Sequence, residues 1–108
     1  STGAGAKAIE TLELIVSKDP LDGEALLLAG DYYAKNGQKE KAELRYQTAA
    51  SLQGFEADAF LKHAQLLVQS QKYSQAVELL KKAQKAKSRD NVQRYLEKVE
   101  QLARTAHS

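Results

Sequence analysis

Residues 26–33, LLLAGDYY, and residues 60–67, FLKHAQLL, stand 34 positions apart, as do AELRYQTAASLQG at 42–54 and AVELLKKAQKAKS at 76–88. In this register Leu26, Ala29, Gly30 and Tyr33 align with Phe60, His63, Ala64 and Leu67. Ala42, Tyr46, Ala49 and Gly54 align with Ala76, Leu80, Ala83 and Ser88. The matched slots are small or large and apolar, the combination that lets two helices cross closely and fills the space beside the crossing. One period earlier, Ala8, Leu12, Ile15 and Pro20 occupy the slots of Ala42, Tyr46, Ala49 and Gly54, so the chain opens halfway through a third copy.

This pattern resembles the tetratricopeptide repeat, whose W-x2-L-G-x2-Y, A-x3-F and final P signature has the same period. Leu26 and Phe60 stand where the family has Trp, Ala29 and His63 where it has Leu, and Pro20 keeps the closing proline. The resemblance covers residues 7–88. It implies an all-α chain, a right-handed α-solenoid of antiparallel helix hairpins with about six helices. Residues 1–6 then read as a flexible lead or an expression scar, and 7–22 as the second half of a first repeat. Two full repeats follow at 23–56 and 57–90, with a capping helix and tail at 91–108. A first helix without its partner implies a fragment of a larger protein, or another surface that covers it.

Composition fits one soluble domain. The 108 residues are 43% hydrophobic and 28% charged, near the average for globular chains. The apolar run at 25–29 falls far short of the ~18 residues that suggest a membrane span. The chain has no cysteine, which excludes a disulfide framework, a thiolate nucleophile and a zinc–thiolate site. Cytoplasm and periplasm are both compatible, so the compartment stays open. The opening Ser-Thr-Gly-Ala-Gly does not read as a targeting segment.

Apolar residues recur at helical spacing, and Pro20 is the chain's one proline. A first helix over about 5–17 carries Ala8, Ile9, Leu12, Ile15 and Val16 on one face and stops before Asp19-Pro20. Asp22 is placed to cap a helix over 23–35, and Asn36-Gly37 to end it, since both residue types tolerate the left-handed conformation. The second hairpin, 56–69 and 73–87, turns at Ser70-Gln71 without a glycine and is expected to fray more easily there. Tyr33, Tyr46, Leu67, Tyr73 and Leu80 are the expected filling. A last helix over 90–106 turns Val92, Tyr95, Leu96, Val99, Leu102 and Ala103 inward and Arg94, Glu97, Lys98, Gln101 and Arg104 to water.

No catalytic, metal or cofactor motif emerges, and the chain does not read as an enzyme. His63 occupies a core slot with no acid three or four residues away, and His107 lies in the tail. The scattered glycines form no phosphate loop. Glu10 with Glu13, and Glu40 with Glu43, read as solvated pairs on exposed helix faces. Charge is uneven: residues 1–70 hold seven basic and ten acidic side chains, and 71–108 hold nine and four. The run Lys81, Lys82, Lys85, Lys87 and Arg89 has no interleaved aromatics and reads first as a solvated outer face, with salt-sensitive nucleic-acid contact as the lesser alternative.

In the family that the chain resembles, the first helix of each hairpin lines a concave groove that holds a partner peptide or helix. That face would carry Glu24, Leu27, Asp31, Ala34 and Lys35, then Asp58, Leu61, Gln65, Val68 and Gln69, with Leu96 and Glu100 from the last helix. Leu27, Leu61 and Leu96 either face the core, one or more of them, or make an exposed apolar stripe with acids beside it, suited to a protein segment with apolar anchors and some positive charge. The family's carboxylate clamp needs Lys and Asn where Leu27 and Asp31 stand, so acidic chaperone tails are not the expected ligand. The alternative is self-association, or pairing with upstream repeats, through Ile9, Leu12 and Val16.

Overall fold

In a computed structural model, which describes residues 2–106, and side chains from residue 5, the chain is all-α. Its six helices are α1 (Thr2–Lys18), α2 (Gly23–Lys35), α3 (Lys39–Ala50), α4 (Glu56–Gln69), α5 (Tyr73–Ala86) and α6 (Asp90–Ala106). No strand occurs among the described residues. The predicted bounds of α2, α4, α5 and α6 hold within a residue, none are predicted for α3, and those of α1 do not hold. That helix begins at Thr2 rather than near residue 5, so residues 2–6, expected as a flexible lead, are helical. No proline lies there; Ala4 and Ala6 favour a helix, whereas Gly3 and Gly5 oppose it and underlie the expectation of a flexible lead.

The helix ends follow from short-range chemistry. Asp22 Oδ1 accepts a bond from the Ala25 amide at 3.0 Å and caps α2. At the other end Gly37 takes φ +76°. The Gln38 amide then donates to the Tyr33 carbonyl at 2.9 Å and the Gly37 amide to Ala34 at 3.2 Å, the paired bonds of a Schellman motif. The same turn recurs one repeat period later, where the Lys72 amide reaches the Leu67 carbonyl and the Gln71 amide reaches Val68, both at 2.9 Å. Here Gln71 adopts φ +59°. The turn without a glycine thus keeps its hydrogen bonds by placing a non-glycine residue in the left-handed region, which costs about 1–2 kcal/mol. Gln71→Gly is therefore expected to stabilise the protein by about 0.5–1 kcal/mol in urea denaturation, after the greater chain entropy of glycine is discounted.

The chain divides into two units at Phe55 and Glu56. In the first, α1 packs on α2 and α2 on α3. Leu26, Ala29, Tyr33, Ala42, Tyr46 and Ala49 are buried. Gly30 permits the α2–α3 crossing: a Cβ there would lie 2.4 Å from the Tyr46 ring. In the second unit α4 packs on α5 and α5 on α6. Its core joins Ala64, Leu67, Ala76, Val77, Leu80, Val92, Leu96 and Val99, with Leu61, Val68, Tyr73 and Tyr95 partly buried against it. Seven of the eight aligned slots are alike in burial in the two units, as Gly30 and Tyr46 are with Ala64 and Leu80; Phe60 differs, half-buried where Leu26 is buried. One end differs from expectation, since α5 stops at Ala86 and Lys87 is extended.

The last helix departs from the repeat register. Val92, Leu96 and Val99 are buried, and each lies one position short of a full period after the buried Ala59, His63 and Leu66. Leu96 consequently takes the inward place that His63 has in α4. The apolar residues of α6 at i, i+4 and i+7 form a single stripe, and that stripe faces the core.

Candidate functional site

The residues expected to meet a partner divide into those the fold uses and those it leaves exposed. On α2, Glu24 and Lys35 are exposed, Ala34 is half-buried and Leu27 is buried. Asp31 is half-buried and accepts a 2.7 Å bond from the Tyr46 hydroxyl. Burial first, and then this carboxylate, push the Tyr46 phenol far above its ordinary value. On α4, Gln65 and Gln69 are exposed, while Leu61 and Val68 are half-buried beside the core. Asp58 lies at the surface and receives Arg89 Nη1 at 3.0 Å. Leu96 is 6% exposed, and Glu100 is half-buried.

The expected stripe of three exposed leucines is therefore corrected. Leu27 belongs to the interior, Leu96 takes the inward place also expected of it on the last helix, and Leu61 offers only part of its side chain. The acids are corrected in part: Asp31 holds a tyrosine and Asp58, though exposed, an arginine, so Glu24 and Asp58 are the acids of this set at the surface.

No spacing in the sequence names the partners in the polar cluster that ties α1 to the rest of its unit. Glu13 Oε2 accepts the Tyr33 hydroxyl at 2.8 Å, and Oε1 accepts Arg45 Nε at 2.9 Å. Arg45 Nη2 donates to Oε2 as well, completing a two-pronged pair. Glu13 is thus half-buried, not a member of an exposed pair with Glu10. The Arg45 bonds lower its carboxyl below the ordinary glutamate value, against the opposing effect of burial. Burial and the Glu13 bond raise the Tyr33 phenol.

A carboxyl lowered by folding adds stability above its unfolded value, and that stability is lost as pH falls through the folded value. Stability of the wild-type chain should therefore drop faster than that of Glu13→Gln as pH is lowered from about 4.5, the ordinary glutamate value. At neutral pH Glu13→Gln should cost about 1–2 kcal/mol, in the range for hydrogen bonds to a charged group at a partly solvated site. Urea titrations of both proteins at pH 7 and pH 3.5 check both statements.

The same cluster orients α1. Ile9, Leu12, Glu13 and Val16 share one helical stripe, and Glu13 turns it toward α2 and α3. Ile9, Leu12 and Val16, expected as the open face, are accordingly half-buried. The exposed apolar side chains of α1 are instead Leu14, at 58%, and Ile15, at 38%. Ala49 and Ala83, which align with Ile15 in the repeat register, are fully buried.

The basic strip of α5 is also partly engaged. Lys81 pairs with Glu78 at 3.8 Å. Lys82 stands 5.8 Å from the centre of the Phe60 ring, so an aromatic does lie beside this run. Arg89 turns inward to Asp58, whereas Lys85 and Lys87 are exposed. His63 is buried in α4, and His107 lies outside the described residues. Among the described residues no three His, Asp or Glu side chains gather as a metal site would require. No helix among them is long and apolar enough to cross a membrane. No protein-family model matches this sequence, and no curated protein does.

Proposed function

We propose that this chain is a protein-interaction module built from helical hairpins of the tetratricopeptide kind. A segment of a partner protein, extended or helical, would be taken up by the outward residues of the first helix in each hairpin. The observation that carries this reading is the recurrence, at the repeat period, of one turn and of like burial at seven of the eight aligned slots. The motif residues are used for packing, and Glu24 and Lys35 on α2 and Gln65 and Gln69 on α4 are left at the surface. Function on such a scaffold lies in residues that the fold does not need. Leu61 and Val68, half-buried against the core, supply apolar anchors with the part of each side chain that stays exposed, each contributing less than the ~1.5–3 kcal/mol of a fully exposed side chain, before ordering costs.

The test is selection of displayed random dodecapeptides on the immobilised chain, followed by titration of the winners against Leu61→Ser combined with Gln65→Lys. The account expects affinity to fall at least tenfold in the folded double variant. Selected peptides that bind it as tightly as wild type would contradict the assignment of this face.

A second reading rests on Ile15. Its partial exposure, where Ala49 and Ala83 are fully buried, favours a surface on α1 that a second copy covers, with Leu14 beside it in sequence. Sedimentation equilibrium distinguishes the two: an α1 interface makes the mass rise with concentration, and Leu14→Lys with Ile15→Lys abolishes the rise.

A further inference from the structure

Beside the Glu13 cluster an open cavity of about 380 Å³ is lined by Ala6, Ile9, Tyr33, Asn36, Gln38 and Lys41. It lies wholly within the first unit, between the amino-terminal half of α1, the end of α2 and the first turn of α3. Its wall has two characters. Ala6, Ile9 and the Tyr33 ring are apolar, while Asn36, Gln38 and Lys41 bring two carboxamides and a cation. The Tyr33 hydroxyl and the Arg45 guanidinium are both turned to Glu13. Lys41 keeps its ammonium over the ring at 5.6 Å from the centre. Glu13 and Arg45 are paired with each other, and Lys41 is the charged residue among those that line the cavity. Asn36 Nδ2 is committed to the Tyr32 carbonyl at 2.7 Å. Gln38 makes no side-chain cap on α3, so its carboxamide can donate into the cavity.

We propose that this cavity binds a small monocarboxylate with an aryl or branched aliphatic body. The body lies against Ile9, Ala6 and the Tyr33 ring, and the carboxylate meets the Lys41 ammonium and the Gln38 amide. The volume sits near the lower end of the ~300–1,000 Å³ range of small-molecule sites, which suits a body of one ring or one branched chain. A single cation favours one carboxylate over a phosphate or a dicarboxylate, which would leave charge unpaired. The site is separate from the outward faces of α2 and α4, and its occupancy does not depend on the protein partner proposed above.

The probe is 3-phenylpropionate, titrated into ¹⁵N-labelled chain and followed by amide chemical shifts, with 3-phenylpropionamide and acetate as the neutral and the bodiless controls. Saturable shifts are expected at Ile9, Tyr33, Gln38 and Lys41, with a dissociation constant of millimolar order. The amide and acetate should bind about tenfold more weakly. Lys41→Gln should lose about tenfold in affinity, and Lys41→Arg should retain binding. Lys41 is exposed, and the circular dichroism of both variants checks that they fold. Equal binding of acid and amide, absence of shifts at these four residues, or shifts spread equally over Lys81, Lys85 and Lys87 would overturn the proposal. An acetylated tripeptide ending in phenylalanine that binds at least tenfold more tightly than the free acid would also overturn it, in favour of a partner's chain end.

Discussion

Gly30→Ala is expected to destabilise the protein by about 1–2 kcal/mol, although alanine is the better helix former by about 1 kcal/mol. The added methyl would sit 2.4 Å from Cε1 and 2.8 Å from Cδ1 of Tyr46. This ring has little freedom to retreat, because it is 3% exposed and its hydroxyl is bonded to Asp31. Overpacking of this kind costs about 1–3 kcal/mol or more, and at this separation the upper part of that range applies. Gly23 makes a useful contrast. Its missing Cβ would lie equally close to Phe55, but that ring is half-buried and can move. Gly23→Ala should therefore cost less.

The aligned slots of the second unit hold Ala64 and Leu80, so the small partner is larger and the large partner smaller than in the Gly30–Tyr46 pair. Tyr46→Leu with Gly30→Ala should consequently be less destabilised than the two single changes summed, by about 1 kcal/mol or more. Urea denaturation of the four proteins of this cycle gives the coupling directly. Strict additivity would mean that the two slots do not share one crossing.

Leu80→Ala is expected to cost more, about 2–5 kcal/mol. Leu80 is fully buried in the core formed by α4, α5 and α6, and its removal leaves a void that these helices cannot close without moving. Since domains are stable by only about 5–15 kcal/mol, the variant should unfold at much lower urea concentrations. Leu102→Ala, at a position 37% exposed on α6, should shift stability far less. A loss below about 1 kcal/mol for Leu80→Ala would contradict its place in the core.

Much of the fold is legible in the sequence because its cues are local. Asp22 accepts a bond within its own helix, Gly37 and Gln71 close turns of the same form, and the buried alanines mark crossings. The places where the reading departs from the structure depend on partners distant in sequence. Glu13 meets Tyr33 and Arg45 from two other helices, 20 and 32 residues away, so no spacing rule brings them together. The available signal is its membership of the stripe of Ile9, Leu12 and Val16, where a charged residue must find partners. The exposed place expected for Leu96 follows from extending the repeat period into a helix whose buried slots run one position short of it. Leu27 lies on the border of the inward stripe of α2, where period alone does not separate buried from exposed.

Chemical-shift mapping of a selected peptide on the ¹⁵N-labelled chain shows which surface meets a partner. Shifts are expected at Glu24 and Lys35 of α2 and at Leu61, Gln65, Val68 and Gln69 of α4. Shifts confined to Leu14 and Ile15 of α1, or to the basic residues of α5, with the α2 and α4 faces silent, would contradict the proposed function.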